Sequence, residues 1–182
     1  MKIFFIFFYF LIISSTNVFA NNINEKLNKL FEELKISSES SSFEIEQKIW
    51  KLWSTHPDND NLTLLLAEGS EAVNNNQFNI AIDIFTKVIK LDPNWAEAWN
   101  KRATVHYLVG QYQKSQNDIE KVLKLETRHF GALAGQGLVN IKLKNYEKAI
   151  KSYEKALEIY PSMRSPEIMI KEIQALIKQE LI

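Results

Sequence analysis

The chain matches itself at an offset of 34 residues, and that period restricts its fold more than any other feature. Three consecutive blocks, 62–95, 96–129 and 130–163, align without insertion. The matches fall where packing would demand them. The eighth position is small (Gly69, Ala103, Gly137), and so is the twentieth (Ala81, Ser115, Ala149). The seventeenth is aromatic (Phe78, Tyr112, Tyr146) and the twenty-fourth is large (Phe85, Ile119, Tyr153). The thirty-second is a helix stop (Pro93, Thr127, Pro161), since proline lacks an N–H and clashes with the preceding turn. Apolar residues in the second half of each block recur at helical spacing, as in Ala149, Ile150, Tyr153, Ala156 and Leu157. Lone units of this kind cannot bury their apolar faces, so stacking must supply the core. With only 5 glycines and 4 prolines in 182 residues, the composition favours helices over a turn-rich β fold.

The middle block carries Ala98-Trp99 and then Gly110-Gln111-Tyr112. The third carries Asn145-Tyr146-Glu147-Lys148-Ala149-Ile150 and then Tyr153-Glu154-Lys155-Ala156-Leu157. Over residues 62–163 this resembles the tetratricopeptide repeat (TPR) family. The resemblance implies an all-α superhelix, a solenoid of antiparallel helical hairpins with a concave groove that holds protein or peptide partners. The Trp50 to Trp53 segment and the string Ala98-Trp99-Asn100-Lys101-Arg102-Ala103 look like those of exported proteobacterial members.

Both flanks read as helical. Leu27, Leu30, Phe31 and Leu34 mark one amphipathic helix, and Ile45, Ile49, Trp50 and Trp53 a second. Residues 37–42 read as a polar connector, and Ser41 with Glu44 fits a capping box. Residues 21–61 are therefore expected to form an N-terminal helical hairpin, either a cap on the array or a degenerate repeat. Residues 164–182 are expected to form a capping helix, with Ser165 as N-cap, Pro166 in the first turn and a stripe of Ile168, Met169, Ile173, Leu176 and Ile177.

The first twenty residues read as an address. Lys2, the apolar run 3–13 and the end Val18-Phe19-Ala20 have the order of a secretory signal peptide cleaved after Ala20. The run is short for a membrane span, which needs about 20 apolar residues. The mature form is expected to be soluble and periplasmic or secreted, with membrane attachment only if the segment is retained. Lysine plus arginine and aspartate plus glutamate both number 22, so no basic surface invites nucleic acid. The absence of cysteine excludes disulfides and thiolate metal sites.

No catalytic motif emerges, and neither cofactor nor metal is expected. Gly131, Gly135 and Gly137 follow no strand, so they fail the dinucleotide fingerprint. His56, His106 and His129 form no ligand set, and His106 reads as a packed, hydrogen-bonded core histidine. The spacing of Trp50, Trp53, Trp95 and Trp99 favours core packing, with Trp95 the one expected to be partly exposed. Position seven is polar (Glu68, Arg102, Gln136), which suggests a ladder with Arg102 paired to Glu68.

In the family, positions two, five, six, nine and thirteen line the groove. Carried over, these are Thr63, Leu66, Ala67, Ser70 and Asn74 in the first repeat, then Glu97, Asn100, Lys101, Thr104 and Leu108 in the second. The third offers Gly131, Ala134, Gly135, Leu138 and Lys142. The basic residue at five and Asn at nine that clamp a terminal carboxylate are not at Leu66 and Ser70. The reading is a non-enzymatic adaptor of the bacterial envelope that binds a peptide or helix. Its rivals are a membrane-anchored accessory subunit and a small envelope ligand-binding protein or enzyme.

Overall fold

A computed structural model describes residues 23–180, and the leader expected over 1–20 lies outside them. Helix α1 covers residues 23–36. It is followed by α2 (Glu39–Ser54), α3 (Asp60–Asn74), α4 (Phe78–Leu91), α5 (Ala96–Leu108) and α6 (Tyr112–Leu125). Helices α7 (Phe130–Lys142), α8 (Tyr146–Ile159) and α9 (Arg164–Glu180) complete the order. No strand occurs among the described residues. Within the array α3 pairs with α4, α5 with α6 and α7 with α8, while α4 stacks on α5, α6 on α7 and α8 on α9. The chain is thus the all-α solenoid that the repeat demands.

The small eighth position makes each pair possible. A β-carbon on Gly69 would lie 2.5 Å from Phe85 Cε1, and one on Gly137 would lie 2.4 Å from Tyr153 Cζ. Each ring is fully buried against the bare backbone of the partner helix. In the middle pair Ala103 has the smaller Ile119 in its cluster, and the Ser115 hydroxyl donates to the Ala103 carbonyl at 2.8 Å.

Every first helix ends the same way. The residue after the helix cap has a left-handed backbone: Asn76 (φ 57°), Gly110 (φ 74°) and Lys144 (φ 58°). Their amides return to Val73, Tyr107 and Ile141, and the next amides (Gln77, Gln111, Asn145) return to Ala72, His106 and Asn140. This is the Schellman closure, which satisfies carbonyls that a helix end would otherwise orphan. Lysine at position 144 carries a steric cost of about 1–2 kcal/mol that glycine at 110 avoids.

Several sequence expectations change. Helix α2 begins at Glu39 behind Ser38, so Ser41 and Glu44 lie inside it and form no capping box. Helix α9 starts at Arg164, one residue before the expected N-cap. Its Ile168 and Leu176 are exposed, and its packed stripe runs through Met169, Ile170, Ile173 and Ile177. Trp95 is buried, and its indole N–H donates to the Trp53 carbonyl at 2.8 Å, whereas Trp50 and Trp99 are half-buried. The hairpin α1–α2 packs well beyond the first repeat. Its apolar face shares a core with Phe130 and Tyr160.

His106 is buried beside Asp118, with its Nε2 3.9 Å from the carboxylate. Burial lowers its pKa, against the opposing pull of Asp118. Folding therefore favours the neutral ring. That stabilisation is complete above the ordinary value of 6.5 and is lost as pH falls below it. The urea midpoint of the native chain is expected to drop more than that of His106→Gln between about pH 7.5 and 5.5. Equal drops would remove His106 as the cause.

Two glycine substitutions test the packing. Gly137→Ala drives a methyl into Tyr153 and is expected to destabilise by about 1–3 kcal/mol despite its better helix propensity. Gly135→Ala meets nothing nearer than Ile119 Cδ1 at 3.8 Å and should be neutral or stabilising by up to about 1 kcal/mol. Thermal denaturation of both variants separates steric crowding from propensity.

Candidate functional site

The first helices α3, α5 and α7 lie side by side and present one shared face. The expected groove residues divide on it into three groups. Glu97 and Asn100 are buried, and Lys101 is only part-exposed. The Glu97 carboxylate is the hub of that group. Its Oε2 accepts from Asn100 Nδ2 at 3.1 Å and from His129 Nε2 at 3.0 Å. Lys101 Nζ sits 3.3 Å from its Oε1, off the line of a hydrogen bond. His129 Nδ1 accepts the Ala132 amide, which caps α7 and leaves Nε2 to carry the proton given to Glu97.

A second group borders an opening. Asn100, Thr104 and Tyr107 from α5 face Gly131, Gly135 and Leu138 from α7 across a pocket of about 80 Å³, with Ile119 among its lining residues. The Thr104 hydroxyl is spent on the Asn100 carbonyl. Leu138 is 37% exposed, and Leu108, on the same face of α5, is 51% exposed. The last group stays apart from this pocket. The Ser70 hydroxyl donates to the Leu66 carbonyl, Asn74 and Lys142 stand exposed at the ends of α3 and α7, and Ala134 packs against the α8–α9 cluster.

Sequence reasoning missed that the chain fills part of this face itself. The Trp50 ring lies over Gly131, where a β-carbon would be 2.5 Å from it. Trp53 stacks on His129 with centroids 4.0 Å apart and planes 7° from parallel. Tyr160 Oη lies 3.2 Å from both Ser42 Oγ and Glu46 Oε2, and Arg128 donates to Asn28 while lying over Phe31. At the far end of α2, His56 is buried between Asp58 and Asp92. Thus α2 crosses the starts of α5, α7 and α9 and leaves the Leu108–Leu138 portion open.

The Arg102–Glu68 ladder is not formed. Arg102 grips Asp118 with two bonds of 2.8 Å and donates to Thr86 at 3.0 Å, while Glu68 is exposed. The bidentate geometry and the near-complete burial of Asp118 explain the choice. Gln136 likewise faces Ser152, sixteen residues on, at 3.0 Å. No cluster of three potential metal ligands occurs among the described residues, and none of their helices is long and apolar enough to cross a membrane.

Two family models, each described as a tetratricopeptide repeat, match residues 66–114 and 131–163. A TPR repeat-containing protein of Rhizobium etli is 32% identical over 149 residues, covering 81% of this chain and 72% of that protein. This chain belongs to the tetratricopeptide repeat family. Its fold is similar to the first TPR of Spaghetti (RPAP3) bound to the HSP90 peptide SRMEEVD, with TM-score 0.64, 21% identity and coverage of 66% of this chain and 96% of that one. It is also similar to the Yersinia enterocolitica type III secretion chaperone SycD in complex with a peptide of the translocator YopD, with TM-score 0.61, 12% identity and coverage of 65% and 95%. At these identities the likeness concerns the fold alone.

Arg102→Ala strands the buried Asp118 carboxylate and is expected to cost about 3 kcal/mol. Glu68→Ala, on a surface side chain, should change stability by less than about 0.5 kcal/mol. Urea titration of both variants checks the assignment, and comparable losses would restore the Glu68 pairing.

Proposed function

We propose that this chain is a non-enzymatic interaction scaffold of the bacterial envelope. It holds an apolar segment of a partner protein on the open part of the α5–α7 face. The observation that carries this reading is the pocket between the two helices. It has room for one aliphatic side chain, and Leu108 and Leu138 extend an apolar surface beside it. Such a surface suits helix-in-groove or extended-peptide binding.

The electrostatics favour an apolar ligand over an acidic chain end. Nearby cations already have partners: Lys101 with Glu97, Arg102 with Asp118 and Arg128 with Glu126. Lys142 stands at the far end of α7. The peptide-bound neighbours lend support to protein binding as the role, although their ligands differ. Export rests on the leader-like residues 1–20, with periplasmic placement following cleavage after Ala20.

A photo-crosslinking residue at position 138, activated in cells, tests the binding face. A discrete crosslinked partner in the envelope fraction is expected, together with its loss when Leu108→Asp is added. A product that survives Leu108→Asp would move the site elsewhere. Intact-mass measurement of the same preparation tests export, because the processed form lacks residues 1–20. A full-length mass in the membrane fraction would replace the soluble scaffold with an anchored one.

A further inference from the structure

A second recess lies outside the TPR face, between α1 and α2, with a volume of about 650 Å³. Its floor is aliphatic, formed by Ile23 and Leu30 from α1 and Leu52 from α2. These side chains are only partly buried at the edge of the core that α1–α2 share with Phe130 and Tyr160. Along one rim stand Lys26 and Lys29, and along the other Lys48 and Lys51. All four lysines are exposed, and none joins an ion pair among the described residues. Glu33 is the single acid in the lining. A chain with equal numbers of acids and bases thus sets four lysines against one carboxylate around a single apolar trough.

We propose that this trough docks an amphipathic helix of a partner protein whose apolar stripe is flanked on both sides by acidic residues. The arrangement of charge selects this occupant. Both rims carry a pair of lysines three residues apart, so each side of the trough offers cations over about one helical turn. A single-headed anionic amphiphile needs charge at one end only. A helix lying lengthwise presents its flanking residues to both rims at once, as the charged flanks of a coiled-coil seam do. The α1 stretch from Ile23 to Glu33 spans about 15 Å at 1.5 Å per residue, which fits a partner helix of about three turns. The concave floor disfavours a flat bilayer, and a second copy of the hairpin would set lysine against lysine. This surface is separate from the pocket at Leu138, so either can fail without the other.

The test uses the protein as isolated from expressing cells and a fluorescent 14-residue peptide. The peptide has leucines at helical spacing and glutamates on both flanks, and binding is read by anisotropy. Saturable binding is expected, weakening with added salt and at least tenfold in Lys26→Glu plus Lys51→Glu. Those exposed substitutions should leave the circular dichroism spectrum and melting temperature unchanged. Leu138→Asp should leave peptide affinity intact. No saturable binding, or equal affinity for the double variant, would overturn the proposal. So would equally tight binding of a lysine-flanked peptide, which would reduce the trough to a non-selective greasy surface. Binding to phosphatidylglycerol vesicles but not to the peptide would assign the trough to a membrane instead.

Discussion

Two of the helix pairs in this array close on an aromatic ring pressed against the backbone of a glycine. Phe85 over Gly69 and Tyr153 over Gly137 fill the volume that a side chain would take and bring the two helices together there. Burying such rings supplies the largest single share of apolar area available to a short repeat. The left-handed turns at Asn76, Gly110 and Lys144 return the chain at the right place for that contact. The shared face of α3, α5 and α7 exists because these two pairs and the middle pair, which closes on Ala103 and Ile119, stack in order.

The N-terminal hairpin applies a different chemistry to the same face. Its seat combines an indole stacked on an imidazole, an indole over a bare glycine and a buried carboxylate holding the imidazole in place. Glu97 has a structural task that explains why Asn100 and Lys101 are not free donors. The polar cluster around Glu97 is consumed in holding α2, while Leu108 and Leu138 remain exposed. This division sets the character of any ligand the open part can accept.

Much of this was legible in the sequence, for reasons that differ by residue. The repeat register could be read because positions eight, twenty and twenty-four are fixed by packing within the block. The internal ties of Glu97 also left a trace, since Asn100 and Lys101 follow it by three and four residues, the spacing of facing side chains on a helix. The partner of Arg102 was readable in the block alignment: a polar position seven goes with a polar position twenty-three in Arg102/Asp118 and Gln136/Ser152, whereas Glu68 faces the apolar Ile84 position. The seat of α2 left no such trace. Trp50 and Trp53 announce a buried helix face, but which surface buries them depends on contacts up to 125 residues away, such as Glu39 with Arg164. Gly131 read as groove lining from its position in the repeat, where a small residue suits a neighbouring ring as well as a ligand.

Arrays of this kind are ordinarily modular, because each unit touches only its neighbours and units can be gained or lost. Here α2 behaves as a ruler laid along the array. Its marks are Trp95, His129 with Gly131, and Tyr160, one at each successive repeat junction. A unit inserted before α7 would shift two of those marks and leave Trp50 and Tyr160 without their seats. The hairpin therefore fixes the spacing of the units between Trp95 and Tyr160, so this stretch of the array can change at its exposed residues without losing the seat of α2, but not by insertion.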